Sequence, residues 1–153
     1  MTLDDRLAQL DRALAALAAA MGWLDRSSRL CRDIDPAGQL SEIDFDALEN
    51  LTSRFARAVD LLIHKVYRAM DAVEMDAGGS TLDVVNRAHK RGLFDDPERM
   101  RELKDVRNEI AHEYVLDDVR AVFATVKALV PELEDAVRRA MIYRKRYQAG
   151  PPA

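Results

Sequence analysis

The chain has 153 residues, 48% of them hydrophobic and 33% charged, with a formal net charge of −4. That length and balance fit one domain with its own core and exclude a disordered chain. The negative charge excludes nonspecific nucleic-acid binding by the whole surface, though not a local basic cleft, and a single cysteine, Cys31, excludes an internal disulfide framework.

One cysteine also suits a reducing compartment. Leu14 to Trp23 is apolar but too short to span a membrane. The opening MTLDDRL is acidic and lacks a signal-peptide layout. A cytoplasmic protein is expected. Few glycines and prolines among many alanines, leucines and charged residues predict an all-α fold.

The first helix is predicted to begin at Thr2, with Asp5 three residues on as a capping partner. Leu3, Leu7, Leu10, Leu14, Leu17, Met21, Leu24 and Cys31 form a heptad-like seam along it. Ala15 to Ala20 would let a neighbour pack close, and Trp23 reads as a packing residue. Asp35-Pro36-Ala37-Gly38 punctuates the end of this element. Ser41 and Asp44 open a second helix. Phe45, Leu48, Thr52, Phe55, Val59, Leu62, Val66, Ala69 and Val73 keep a three-four spacing to about Met75. Glu42, Asp44, Asp46 and Glu49 suit the helix dipole at its start, in preference to a metal site. Arg54 and Arg57 are expected to face the functional cleft. His64, alone in the apolar stretch LLIHKVY, reads as structural.

Asp76 to Ser80 is a loop by composition. A short helix follows from Thr81-Leu82-Asp83 to about Gly92, anchored by Leu82 and Val85 and ending in the basic His89-Lys90-Arg91. Asp95-Asp96-Pro97-Glu98 starts a fourth helix. After Leu116-Asp117-Asp118 a last stripe runs through Val119, Val122, Val126, Leu129, Leu133, Val137 and Met141, with Pro131 expected to kink or break it. Tyr143-Arg144-Lys145-Arg146-Tyr147 is basic with interleaved aromatics. Such a pattern holds RNA through phosphates and stacked bases, or is simply a solvated helix end. Residues 149–153 read as a disordered tail, which leaves 1–148 as a single domain.

The chemistry concentrates in the fourth helix, in Arg107-Asn108-Glu109-Ile110-Ala111-His112-Glu113-Tyr114. Leu103, Val106 and Ile110 share an apolar stripe, with Arg107 and Tyr114 at its edge. On an unbroken helix His112 lies about 140° round from Arg107. Three arrangements close that gap: Arg107 swings its side chain round, the helix ends before Tyr114, or a second copy supplies the missing half. The third is favoured, because a twofold contact is self-complementary. Histidine takes or gives a proton near neutral pH. Arginine stabilises the extra charge of a pentavalent phosphate, and Asn108 can orient either partner. Residues of these types in a charged helix are also commonly no more than solvated or ion-paired.

Arg107, four residues, His112, one residue and Tyr114 resemble the R-x4-H-x-Y signature of HEPN-domain toxins of the HepT type. The polar Asn108 after the arginine matches that family as well. The resemblance implies a small helical homodimer that cleaves RNA in a cleft at the dimer interface, without metal or cofactor. Arg107, His112 and Asn108 would be its catalytic residues. It also implies a nucleotidyltransferase antitoxin of the MNT type, which silences the toxin by transferring AMP to the tyrosine at the Tyr114 position. Arg54, Arg57, Arg144, Lys145 and Arg146 are candidate RNA contacts. The expected architecture is an up-and-down bundle of four main helices plus one short helix, dimeric. The alternative function is a noncatalytic helical accessory subunit that binds a nucleotidyltransferase or its nucleotide.

Overall fold

The structure, a computed structural model, describes residues 1–112 and 116–148 and is all-helical, with no strand among those residues. Helix α1 spans Leu3–Leu30 and opens on a capping box in which Thr2 and Asp5 satisfy each other's backbone N–H. The same device, Ser41 with Asp44, starts α2 (Glu42–Asp60). The rod then widens into a π-helical stretch, Leu61–Tyr67, and returns to α-helix in α3 (Arg68–Val73). Helix α4 (Thr81–Lys90) is capped by Ser80 and Asp83, and α5 (Pro97–Ala111) by Asp96 with proline at its first turn. Helix α6 covers Leu116–Arg144, and Lys145–Gln148 tighten into a 3₁₀ turn.

One hydrophobic core joins all of these elements. Helix α1 packs on α2, the π stretch, α3 and α6; α2 packs on α5 and α6; α5 packs on α6; α4 packs on the π stretch and α3. Between Phe45 and Val73 each three-four position from Leu48 onward is buried. The widened coil additionally buries Ile63 and Tyr67. Helices α5 and α6 run antiparallel, tied by Arg139 to Asp95 and by Arg99 to Glu132.

Several expectations are corrected. Helix α1 stops at Leu30, before the Asp35–Gly38 turn. Ala15, Ala16, Ala18 and Ala19 are exposed where a close-packed neighbour was expected, and Trp23 is 58% exposed instead of packed. The core side of α1 is fully supplied by its leucine seam, so its alanine face turns outward. Leu82 is also exposed; Val84, Val85 and Ala88 anchor α4. Pro131 does not break α6. It lies on the exposed side, where the carbonyl it leaves without a partner can be hydrated.

Candidate functional site

Met100, Leu103 and Val106 hold α5 against the core, which leaves Arg107 at the boundary facing α2. There its Nε donates to Asp60 Oδ1 at 2.6 Å and its Nη2 to Oδ2 at 3.0 Å. Both side chains keep about a third of their surface, 34% for Arg107 and 37% for Asp60. The forked pairing holds the guanidinium in one plane, and the hydrogen bond to Asp60 raises the arginine pKa further. Nη1 turns towards Asn108 Oδ1, at 3.5 Å. The clamp therefore occupies the Nε–Nη2 edge of the guanidinium and leaves Nη1 on the Asn108 side.

Helix α5 ends at Ala111. His112 is its C-terminal cap, with extended backbone (φ −99°, ψ 153°) and an N–H bonded to Glu109 O at 3.2 Å. The chain leaves the helical path after His112, and no hydrogen bond joins the His112 side chain to Arg107 among the described residues. Helix α5 thus ends before position 114, as one of the three arrangements requires. Asn108 and His112 are both exposed. Tyr114, the expected AMP acceptor, lies outside the described residues.

Two residues near this arginine were not read from the sequence as part of the site. Asp60 is one, and nothing in the local pattern marks it, because its partner is 47 positions away. His64 is the other. It is exposed, one turn beyond Asp60 on the π stretch. Neighbouring atoms partly desolvate its ring, and that lowers the imidazole pKa; Arg68, Arg107 and Lys104 push it down too, against the pull of Asp60. The outward turn follows from the side of the rod that faces the core, since His64 lies two residues from both Leu62 and Val66. Leu62, Ile63, Val66 and Tyr67 face inward, and His64 and Lys65 face solvent.

The other candidates separate into two places. Arg54 and Arg57 line a groove of about 530 Å³ between α1 and α2, together with Ala16, Ala19, Ala20, Trp23 and Leu61. Leu61 on this groove follows Asp60, the residue that clamps Arg107, in the chain. The basic C-terminal stretch is elsewhere. Arg144 is tied by Nε and Nη2 to Asp11 of α1, at 2.6 and 3.0 Å, and the Arg146 guanidinium lies 4.7 Å over the Tyr143 ring. Lys145 is exposed beside them. Along the antiparallel α5–α6 pair this end lies roughly 30 Å from Arg107, at 1.5 Å of rise per residue. Instead, Tyr143 and Arg146 meet Arg87, Lys90 and Arg91 of the α4 end around Glu74, Asp76 and Gly92.

Among the described residues no group of three or more His, Cys, Asp or Glu side chains is placed to hold a metal ion, and no helix is long and apolar enough to cross a membrane. Compared with known proteins, the chain matches no family model, no curated protein sequence and no solved structure.

Proposed function

We propose that this chain is a metal-independent endoribonuclease, the toxin of a HEPN/MNT type pair, working as a homodimeric up-and-down helical bundle. The observation that carries the reading is the Asp60 clamp on Arg107. A guanidinium held in one plane, with its free edge beside Asn108 and a solvent-exposed histidine at the end of the same helix, is arranged for phosphate chemistry. In the reaction the 2′-oxygen attacks phosphorus and the P–O5′ bond breaks. The products are a 2′,3′-cyclic phosphate and a 5′-hydroxyl. His112 takes the 2′-OH proton or gives one to the departing 5′-oxygen. Arg107 stabilises the charge of the pentavalent phosphate, and Asn108 orients the guanidinium.

Purified protein degrades RNA in EDTA under this proposal, and Arg107→Ala lowers kcat by about 10²- to 10³-fold, the usual loss for a removed oxyanion donor. A strict requirement for a divalent ion would show that the roles are wrongly assigned. Expression of the wild type arrests growth, and His112→Ala relieves the arrest. If each active site is shared across a dimer axis, mixing Arg107→Ala and His112→Ala chains restores activity; a monomer at micromolar concentration ends that part of the proposal. Tyr114 is the proposed AMP acceptor. Tyr114→Phe escapes a co-expressed nucleotidyltransferase, because added AMP brings bulk and negative charge to a phosphate site.

A second reading draws on the same clamp. Asp60 already satisfies the Nε–Nη2 edge of Arg107, as a purely structural ion pair would. The chain is then a noncatalytic accessory that binds a nucleotidyltransferase or its nucleotide. An inactive wild type that co-purifies with such a partner selects this reading.

A further inference from the structure

Trp23 is the chain's single tryptophan, and it stands on the outer side of α1 with 58% of its surface exposed. Ala16, Ala19 and Ala20 precede it on the same helix and leave a low wall, so the indole overlooks an open groove of about 530 Å³. The Arg54 guanidinium carbon lies over one face of the indole, 5.1 Å from its centroid, so a stacked base takes the other face. Arg54 donates to Trp23 O at 3.3 Å and to Ser27 Oγ at 2.6 Å. These acceptors are neutral. They fix the guanidinium in place and leave its charge uncompensated. Arg57, also on the groove and exposed, makes no salt bridge among the described residues, and the groove lining contains no carboxylate.

A flat aromatic face with two uncompensated guanidinium groups fits a ligand that is flat and aromatic in one part and anionic in the next. Single strands of nucleic acid have that alternation: bases stack on aromatic side chains and phosphates pair with arginine forks. A duplex does not, because its bases are already stacked. A second copy of the chain fits poorly. A twofold contact centred here would bring Arg54 and Arg57 against their own symmetry mates with no acid between them. The chain as a whole carries a net charge of −4, so this cationic strip is a local feature of the surface. Its position also agrees with the motif. Arg57 and Asp60 are three residues apart on α2 and share a face, so a strand whose phosphate meets Arg107 is led across one helix ridge to Arg57 and Trp23.

We propose that the α1–α2 groove is a stacking subsite for single-stranded RNA, in which Trp23 stacks a base and Arg54 and Arg57 hold the phosphates beside it. The subsite rests on the ribonuclease reading for the identity of its ligand.

The lone tryptophan supplies a readout that does not depend on cleavage. Full-length His112→Ala protein is titrated with single-stranded oligoadenylate and, separately, with an RNA duplex, while tryptophan emission is followed. The expected result is saturable quenching by the single strand and none by the duplex. By anisotropy of a labelled single strand, Trp23→Ala weakens binding by about 5- to 150-fold, the range for loss of one base stack, and Trp23→Phe recovers much of it. Arg57→Ala lowers the salt slope of log K by about one. Circular dichroism checks that these surface variants are folded. Oligoadenylate binding with unchanged emission overturns the subsite, as does an absence of binding. So does an emission change that follows protein concentration without RNA, since a second copy then covers the indole. Quenching without cleavage by the wild type retires the ribonuclease reading and keeps the RNA site; cleavage without quenching does the reverse.

Discussion

Replacing Asp60 with alanine separates a positioning role for the clamp from a purely structural one. The Asp60–Arg107 pair is bidentate, but each side chain is about one-third exposed (37% and 34%). Water screens such a pair, and its contribution to folding is about 0.2–1 kcal/mol. Asp60→Ala should therefore shift the urea midpoint only slightly. Its kinetic effect is different in kind. A released guanidinium regains rotamer freedom that must be lost again when it meets phosphate, about 0.5–1.5 kcal/mol for one long side chain. That predicts a fall in kcat of about 2- to 13-fold. The variant also removes a negative charge from beside a site for a polyanion, so KM falls with kcat. Arg107→Ala removes the donor itself and costs about 10²- to 10³-fold. The double variant matches Arg107→Ala, because a clamp with nothing to hold has no effect. Single-turnover cleavage of a fluorogenic RNA in EDTA, run beside urea melts, measures all four proteins. Equal activity losses in the two single variants, each matching its loss of folded protein, would refute the positioning role.

Three further outcomes test other parts of the molecule. Burial and nearby cations hold the His64 imidazole below its usual 6.5, with Asp60 opposing them. The unfolded chain then binds this proton at higher pH than the folded one, so His64 subtracts stability as pH falls from about 6.5 to its folded value and has no effect above. In an NMR titration Asp60→Asn should move the His64 midpoint lower still; an upward move contradicts the assignment of charges. Asp71 is 1% exposed and accepts hydrogen bonds from Arg87 and Arg91. Asp71→Ala should destabilise the fold by about 3 kcal/mol, the lower end for a broken buried pair because Arg91 keeps Glu74 at 2.5 Å; a loss under about 1 kcal/mol in urea melts would mean that water reaches the cluster. Pro131 interrupts the ladder of α6 on its exposed side, so Pro131→Ala should raise stability by about 2 kcal/mol after allowing for the freer unfolded chain. An unchanged or lowered melting temperature argues that the proline fits the helix without cost.

Sequence alone determined what depends on near neighbours. The caps are made between residues three apart, and Thr2 with Asp5, Ser41 with Asp44, and Asp96 before Pro97 start their helices where the sequence places them. The burial stripes of α2 and α6 follow helical periodicity, and the apolar stripe of α5 was legible for the same reason. Tertiary structure decided the rest. The π stretch keeps the three-four pattern of an ordinary helix and could not be read from it. Trp23 and the alanines of α1 face solvent because the leucine seam already fills the core side; composition cannot distinguish an apolar face that is covered from one that is left open. Arg107 meets Asp60 across 47 positions, and Arg144 meets Asp11 across 133. Ion pairs at those separations form only after packing has brought α5 to α2 and α6 to α1. Arg144, one of the candidate RNA contacts, is therefore held against α1 at the far end of the molecule from Arg107, while Arg54 and Arg57 line the groove beside Trp23.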